Sequence, residues 1–207
     1  MTTVNVLSRS AVSDNEFSRL IKAVKANVAT VDGLVATVGS LVTDSTNTLT
    51  PGAGFAGTGT VYKSSIVKQG DIYKTTIFLD LTGTQSATTD LDIIGNSGVS
   101  HIGQVTEAKC GTIFWGQITC LETPAGGVTD IDLYSAVEGT GEFDGGIEAL
   151  DETELYAKGS AAAAAAATQI AIPVLPAVDE YLYLVSGAAG TAAAYTAGKF
   201  LIEFLGA

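Results

Sequence analysis

Between Glu122 and Glu154 the sequence places ten carboxylates and no lysine or arginine: Glu122, Asp130, Asp132, Glu138, Glu142, Asp144, Glu148, Asp151, Glu152 and Glu154. Two chemistries use such groups. Carboxylate oxygens at strand ends can hold Ca²⁺, and EGTGEFDGG (residues 138–146) is the densest stretch for it, although its spacing departs from the EF-hand loop. Paired carboxylates also act as acid and base in glycoside hydrolysis, about 5–10 Å apart. Aromatic platforms for a sugar are expected beside them, and Tyr134 and Phe143 are thin support. Solvated acids on exposed loops are the simpler reading.

The remaining candidates are isolated. His101, in SGVSHIGQV, is the only histidine, and a metal site or a catalytic dyad needs partners of its kind. There is no nucleophile-elbow pattern for a Ser-His-Asp set. PGAGFAGTG lacks the Lys-Ser/Thr of a phosphate loop and does not lie between a strand and a helix. Cys110 and Cys120 are too few for a disulfide framework. On one extended strand they stand roughly 33 Å apart at about 3.3 Å per residue, beyond bridging distance. A hairpin turning near Gly116 would bring them closer, but two free, structural thiols in a reducing cytoplasm are the expectation. No catalytic residue, metal ligand or cofactor is therefore expected, and the chain reads as no enzyme.

The bulk composition narrows the class further. Of 207 residues 46% are hydrophobic and only 15% charged, so a packed core is expected. Twenty-two acids against ten bases give a net charge of −12, which repels phosphates and argues against nucleic acid as a partner. No run of eighteen apolar residues reads as a membrane span, and MTTVNVLSRSAVSDNEF lacks the pattern of a secretory signal.

The elements must then be asked what they position. Ser13 and Glu16 form a capping box at the start of a predicted helix. From there Phe17, Ile21, Val24, Val28, Val31, Val35, Val38 and Val42 recur in alternating steps of four and three, an unbroken heptad seam. Seven of these eight are β-branched, a choice that shifts parallel coiled coils from dimers towards trimers. Valine is a mediocre helix former, and Gly33 and Gly39 each cost about 1 kcal/mol relative to alanine. Such a helix needs its seam buried. Self-association into a homotrimer is the leading use; docking on another protein or packing on its own domain are the alternatives.

The next stretch, TDSTNTLTPGAGFAGTGT, is polar and Gly-rich and reads as a linker. Composition, charge and periodicity all change here, which predicts an assembly helix over 1–43, a linker over 44–60 and a β domain over 61–207. In VYKSSIVKQGDIYKTTIFLDLTG the turn-like QGD separates two alternating runs, a hairpin signal. Tyr73, Ile77, Leu79 and Leu81 share one face; Lys74, Thr76 and Asp80 share the other. Ile113, Phe114, Trp115 and Ile118 are expected to be a buried patch. VTDIDLYSAVEG alternates with Ile131 and Leu133 on one side and Asp130, Asp132 and Tyr134 on the other. TQIAIPVLP, EYLYLVSG and AYTAGKFLIEFLG add three strand candidates, Pro173 marking an edge or a break. The fold class expected is mainly β: a coiled-coil-like N-terminal helix followed by an antiparallel β-sandwich of jelly-roll type, or a barrel. The seven alanines 161–167 are too short to sustain a helix alone, and helix, loop or flat contact segment stay open.

The layout of assembly helix, Gly/Thr linker and β domain, with VYKSSIVKQGDIYKTTIFLDLTG, DEYLYLVSG and GKFLIEFLG, resembles small structural proteins of tailed bacteriophage virions. Head decoration (cement) proteins and head fibres are the nearest in style, over residues 61–207. The resemblance implies a trimer on the capsid's local threefold positions, contacting the major capsid protein, assembled in the host cytoplasm and residing in the virion head. No catalytic residues come with it. A carbohydrate- or receptor-binding fibre module is the alternative. The major capsid protein itself is a poorer match, since no helix pattern follows Val42.

Overall fold

The computed structural model describes Lys22 and residues 47–55, 59–157 and 168–207. The chain divides into two compact units, Met1–Thr43 and Asp44–Ala207, and all the described strands belong to the second. The eight seam residues Phe17, Ile21, Val24, Val28, Val31, Val35, Val38 and Val42 lie outside the described residues, as do the alanines 161–167.

In chain order the strands are β1 (Val61–Gln69), β2 (Ile72–Asp80), β3 (Gly103–Gln104), β4 (Ile113–Ala125), β5 (Ile131–Ala136), β6 (Glu152–Tyr156), β7 (Thr168–Ala171), β8 (Tyr181–Ser186) and β9 (Ala197–Gly206). They form two antiparallel sheets, ordered β1-β2-β9-β4-β7 and β3-β8-β5-β6. Apart from β1 the pairing is nested. The outermost strands pair first, β2 with β9; then come β3 with β8, β4 with β7 and β5 with β6.

Local chemistry accounts for the predicted hairpin. Gln69 pairs with Ile72, leaving Gly70 and Asp71 as a two-residue turn with positive φ (61°) at Gly70 alone. Glycine at the first central position is what a type II′ turn demands, and its twist suits the flanking strands. The period-two pattern then sends Ile66, Thr75, Ile77 and Leu79 inward. Between the sheets the apolar members of this row meet Ile118, Phe200, Ile202 and Phe204 from neighbouring strands, and Leu133, Leu155, Leu182 and Leu184 from the facing sheet. Each such side chain contributes about 1.5–3 kcal/mol on burial, so this shared core dominates stability. At Gly116, on β4, the Phe204 ring occupies the place of a side chain: an added Cβ would lie 2.8 Å from its Cδ1.

The far face of the four-stranded sheet is also covered. Ile93 and Ile147 pack there with Tyr134, Ala136, Tyr183 and Val185, and Leu91 and Leu150 close the cluster. Main-chain bonds hold these loops down: Leu91 N–H donates to Ser186 O (2.8 Å), Ile94 N–H to Leu184 O (2.9 Å) and Ser100 N–H to Gly141 O (2.8 Å). Consequently all six residues of β5 are buried. The alternation predicted for it is present, but its second face turns into a loop layer rather than to water.

Three other expectations need correction. The linker predicted over 44–60 is not a linker across 47–55. Leu49 and Phe55 are buried in the main core, Ile66 N–H donates to Asn47 O (2.7 Å), and the Ser64 hydroxyl both donates to Leu49 O and accepts its N–H. Two apolar anchors and a run of backbone bonds outweigh the polar composition. Secondly, the absence of helix after the N-terminal segment does not hold: Glu107–Cys110 forms one turn of α-helix (α1), with 3-10 turns at Ala53–Phe55 and Ile147–Ala149. Thirdly, Phe114 and Trp115 are not buried: they are 51% and 38% exposed, while Ile113 and Ile118 are buried as expected. A β-bulge causes this. Ile113 pairs with Gly206 and Trp115 with Leu205, so Phe114 is an extra residue that breaks the alternation.

No hairpin forms near Gly116, because β4 runs through it; both cysteines are buried. Pro173 follows β7, which is an edge strand ending at Ala171, in keeping with the edge-or-break reading.

Candidate functional site

Strand registers place one set of side chains on the outer face of the five-stranded sheet. Lys74 pairs with Leu205, and Leu205 with Trp115; Thr76 pairs with Glu203, and Glu203 with Gln117; Phe78 pairs with Leu201, and Leu201 with Thr119. Two apolar pairs, Leu205–Trp115 and Phe78–Leu201, therefore flank a polar row. A second bulge, between Cys120 and Glu122, leaves Leu121 as the extra residue, 45% exposed.

The polar row is internally bonded. Lys74 Nζ lies 2.6 Å from Glu203 Oε1, the Gln117 amide donates to Glu203 Oε2, and the Gln169 amide donates to Gln117 Oε1 at 2.7 Å. The Lys74 ammonium, aided by the Gln117 amide, holds the Glu203 carboxyl below its usual range despite some burial. Towards one end of the strands Lys199 bonds to Glu122 and lies 3.8 Å from Asp80. Burial works against ionised Asp80, but the Thr82 hydroxyl and N–H, followed by Lys199, lower its pKa. Of these residues, the sequence pattern places Lys74, Thr76 and Asp80 on one face and wrongly buries Trp115. The signal for the rest is the alternation Lys199, Leu201, Glu203, Leu205 in GKFLIEFLG, which reads as an outward row once the strand is known to be central.

The acid run is partly absorbed by the fold. Asp130 and Asp132 are buried. Glu154 accepts the Tyr134 hydroxyl, and Glu138 accepts the Asp151 N–H. Among the described residues no group of three or more His, Cys, Asp or Glu side chains is arranged to hold a metal ion. Tyr134 and Phe143 do not form a sugar platform with this run, since Tyr134 is buried in the loop-covered cluster.

His101 lies beside a cleft of about 290 Å³ lined also by Thr50, Pro51, Gln104, Thr106, Lys109 and Tyr181. Its ring meets Tyr181 edge-on, centroids 4.9 Å apart, and Tyr183 at 6.2 Å. Nδ1 is buried with no hydrogen-bond partner, and burial lowers the imidazole pKa. A half-buried ring set edge-on against two tyrosines reads as a packing element of the cleft wall. A larger concavity of about 610 Å³ lies between residues 126–130 and 188–191, lined mostly by main chain and small side chains. Among the described residues no helix is long and apolar enough to cross a membrane.

Comparison with protein-family models, with curated proteins and with solved structures gives no match to this chain.

Proposed function

We propose that this protein is a structural virion protein of a tailed phage, a trimeric capsid-decoration or head-fibre protein without enzymatic activity that binds the major capsid protein and stabilises the head. The observation that carries the reading is the nested strand pairing: β2 with β9, β3 with β8, β4 with β7 and β5 with β6. Eight strands paired in this order, with facing sheets β2-β9-β4-β7 and β3-β8-β5-β6, support a jelly roll, an architecture used by viral capsid and lectin domains. The heptad seam from Phe17 to Val42 supplies the assembly device in the sequence, and its β-branched residues favour three chains. Three weak contacts made together on a threefold platform give avidity without any single strong site. Assembly in a host cytoplasm and residence on the head complete the reading.

The test has two parts. Light scattering on the full chain should give about 63 kDa, three times 21.0 kDa. The protein should then co-sediment with purified undecorated phage heads at micromolar concentration; remaining in the supernatant well above that range refutes the virion reading. A second reading, a carbohydrate- or receptor-binding fibre module, is favoured by one observation: the exposed Trp115 indole shares its face with the Gln117 and Gln169 amides. Saturable quenching of Trp115 fluorescence by a neutral oligosaccharide would select it.

A further inference from the structure

Among the described residues the outer face of the five-stranded sheet is the sheet face left uncovered, since the far face of the other sheet lies under loops. We propose that this face is the surface through which copies of the chain pack against one another, centred on Trp115, Leu205, Leu201 and Phe78. The proposal deepens the assembly reading above: it rests on self-association and not on the identity of the particle.

Charge favours a second copy as the occupant. Residues 44–207 carry nineteen acidic against six basic side chains, so most orientations of two copies repel. This face is the exception. Lys63, Lys74 and Lys199 stand there against Asp80, Glu122 and Glu203, three of each sign. The remainder of residues 44–207 holds sixteen acidic against three basic side chains, so two copies meeting elsewhere bring mostly acid against acid; meeting here, they bring neutral against neutral.

Desolvation favours it too. Glu203 is 9% exposed already, and both its oxygens are engaged, by Lys74 and by Gln117. Covering a carboxylate that has its partners strands no bare charge, whereas covering a solitary one costs several kcal/mol. The two apolar pairs on either side of that row supply the surface worth burying.

The area is of the right order. Four strands of about nine residues at about 4.8 Å spacing and about 3.3 Å per residue, with the four residues of β7 beside them, give a footprint of roughly 500 Å². Side-chain relief, with Phe114 and Leu121 thrown outward by the bulges, raises the accessible area towards the about 800 Å² per partner of a stable interface.

Trp115 is the only tryptophan in the chain, so the face carries its own reporter. The experiment follows light-scattering mass and acrylamide quenching of Trp115 in the full chain over a dilution series. The expected result is a mass that is a multiple of 21.0 kDa, with a quenching constant that falls several-fold between dilute and assembled protein. Leu205→Glu should restore free quenching with unchanged far-UV circular dichroism, and Thr119→Lys should do the same if the first variant folds poorly. Three outcomes overturn the proposal: Trp115 quenched as freely in the assembled protein as in the dilute one, protection of Trp115 in a monomer, or a 21.0 kDa mass at every concentration. Failure to sediment with phage heads would remove the virion reading and leave this one standing.

Discussion

Replacing Glu203 by alanine tests the polar row on the outer sheet face. The side chain accepts from Lys74 and Gln117, and its own exposure is small. Lys74 is 54% exposed, so the ion pair contributes at most about 1 kcal/mol after screening. The amide bond to a carboxylate adds about 1.5 kcal/mol. Glu203→Ala should therefore lower stability by about 2 kcal/mol at pH 7, or about 4–8 °C in Tm for a domain of this size. The effect must also depend on pH. Because the folded-state pKa of Glu203 lies below the ordinary 4.5, the unfolded chain takes up the proton first as acid is added. The stabilisation is complete above about pH 4.5 and is lost as pH falls through the lower folded value. Urea unfolding of the wild type and the variant from pH 7 to pH 3 should give curves that converge at the acid end, and Lys74→Met in a double-mutant cycle should recover a coupling of up to about 1 kcal/mol. A loss below about 0.5 kcal/mol at pH 7, or a difference that does not change with pH, would refute the reasoning.

Three further outcomes are expected. Gly116→Val should cost about 1–3 kcal/mol by overpacking, because the Phe204 ring and Ile172 Cδ1, 3.2 Å from an added Cβ, fill the space; thermal denaturation reads it directly. Asp179→Gly should raise stability by about 0.5–1 kcal/mol, since Asp179 sits at φ 69° and its backbone bonds to Val105 O and from Gln104 survive the change; an unchanged or lower urea midpoint would count against strain there. His101, whose pKa burial lowers from 6.5, should cost stability as pH falls below about 6.5, because the unfolded chain then binds the proton that the folded site resists. His101→Phe should flatten that part of the pH profile, and an identical profile in the two proteins would show that the ring titrates freely.

What the sequence determined by itself was whatever depends on near neighbours along the chain. The QGD hairpin, the inward row Ile77 and Leu79, the strands around Ile131 and Tyr183, and the edge position before Pro173 follow from turn chemistry and period-two alternation. The tertiary structure alone decided which faces meet water. Phe114 and Trp115 are apolar and consecutive, and only the bulge against Leu205 and Gly206 turns them outward. Asp130 and Asp132 read as a solvated strand face until loops some forty residues earlier in the chain and some fifteen to twenty residues later close over that side of the sheet. Leu49 and Phe55 looked like spacing in a polar stretch, yet their partners lie in the core of the following domain. Each of these depends on a surface assembled from residues far apart in sequence. Hydrophobic burial answers to the area that such an assembly removes from water, and a local pattern does not contain it.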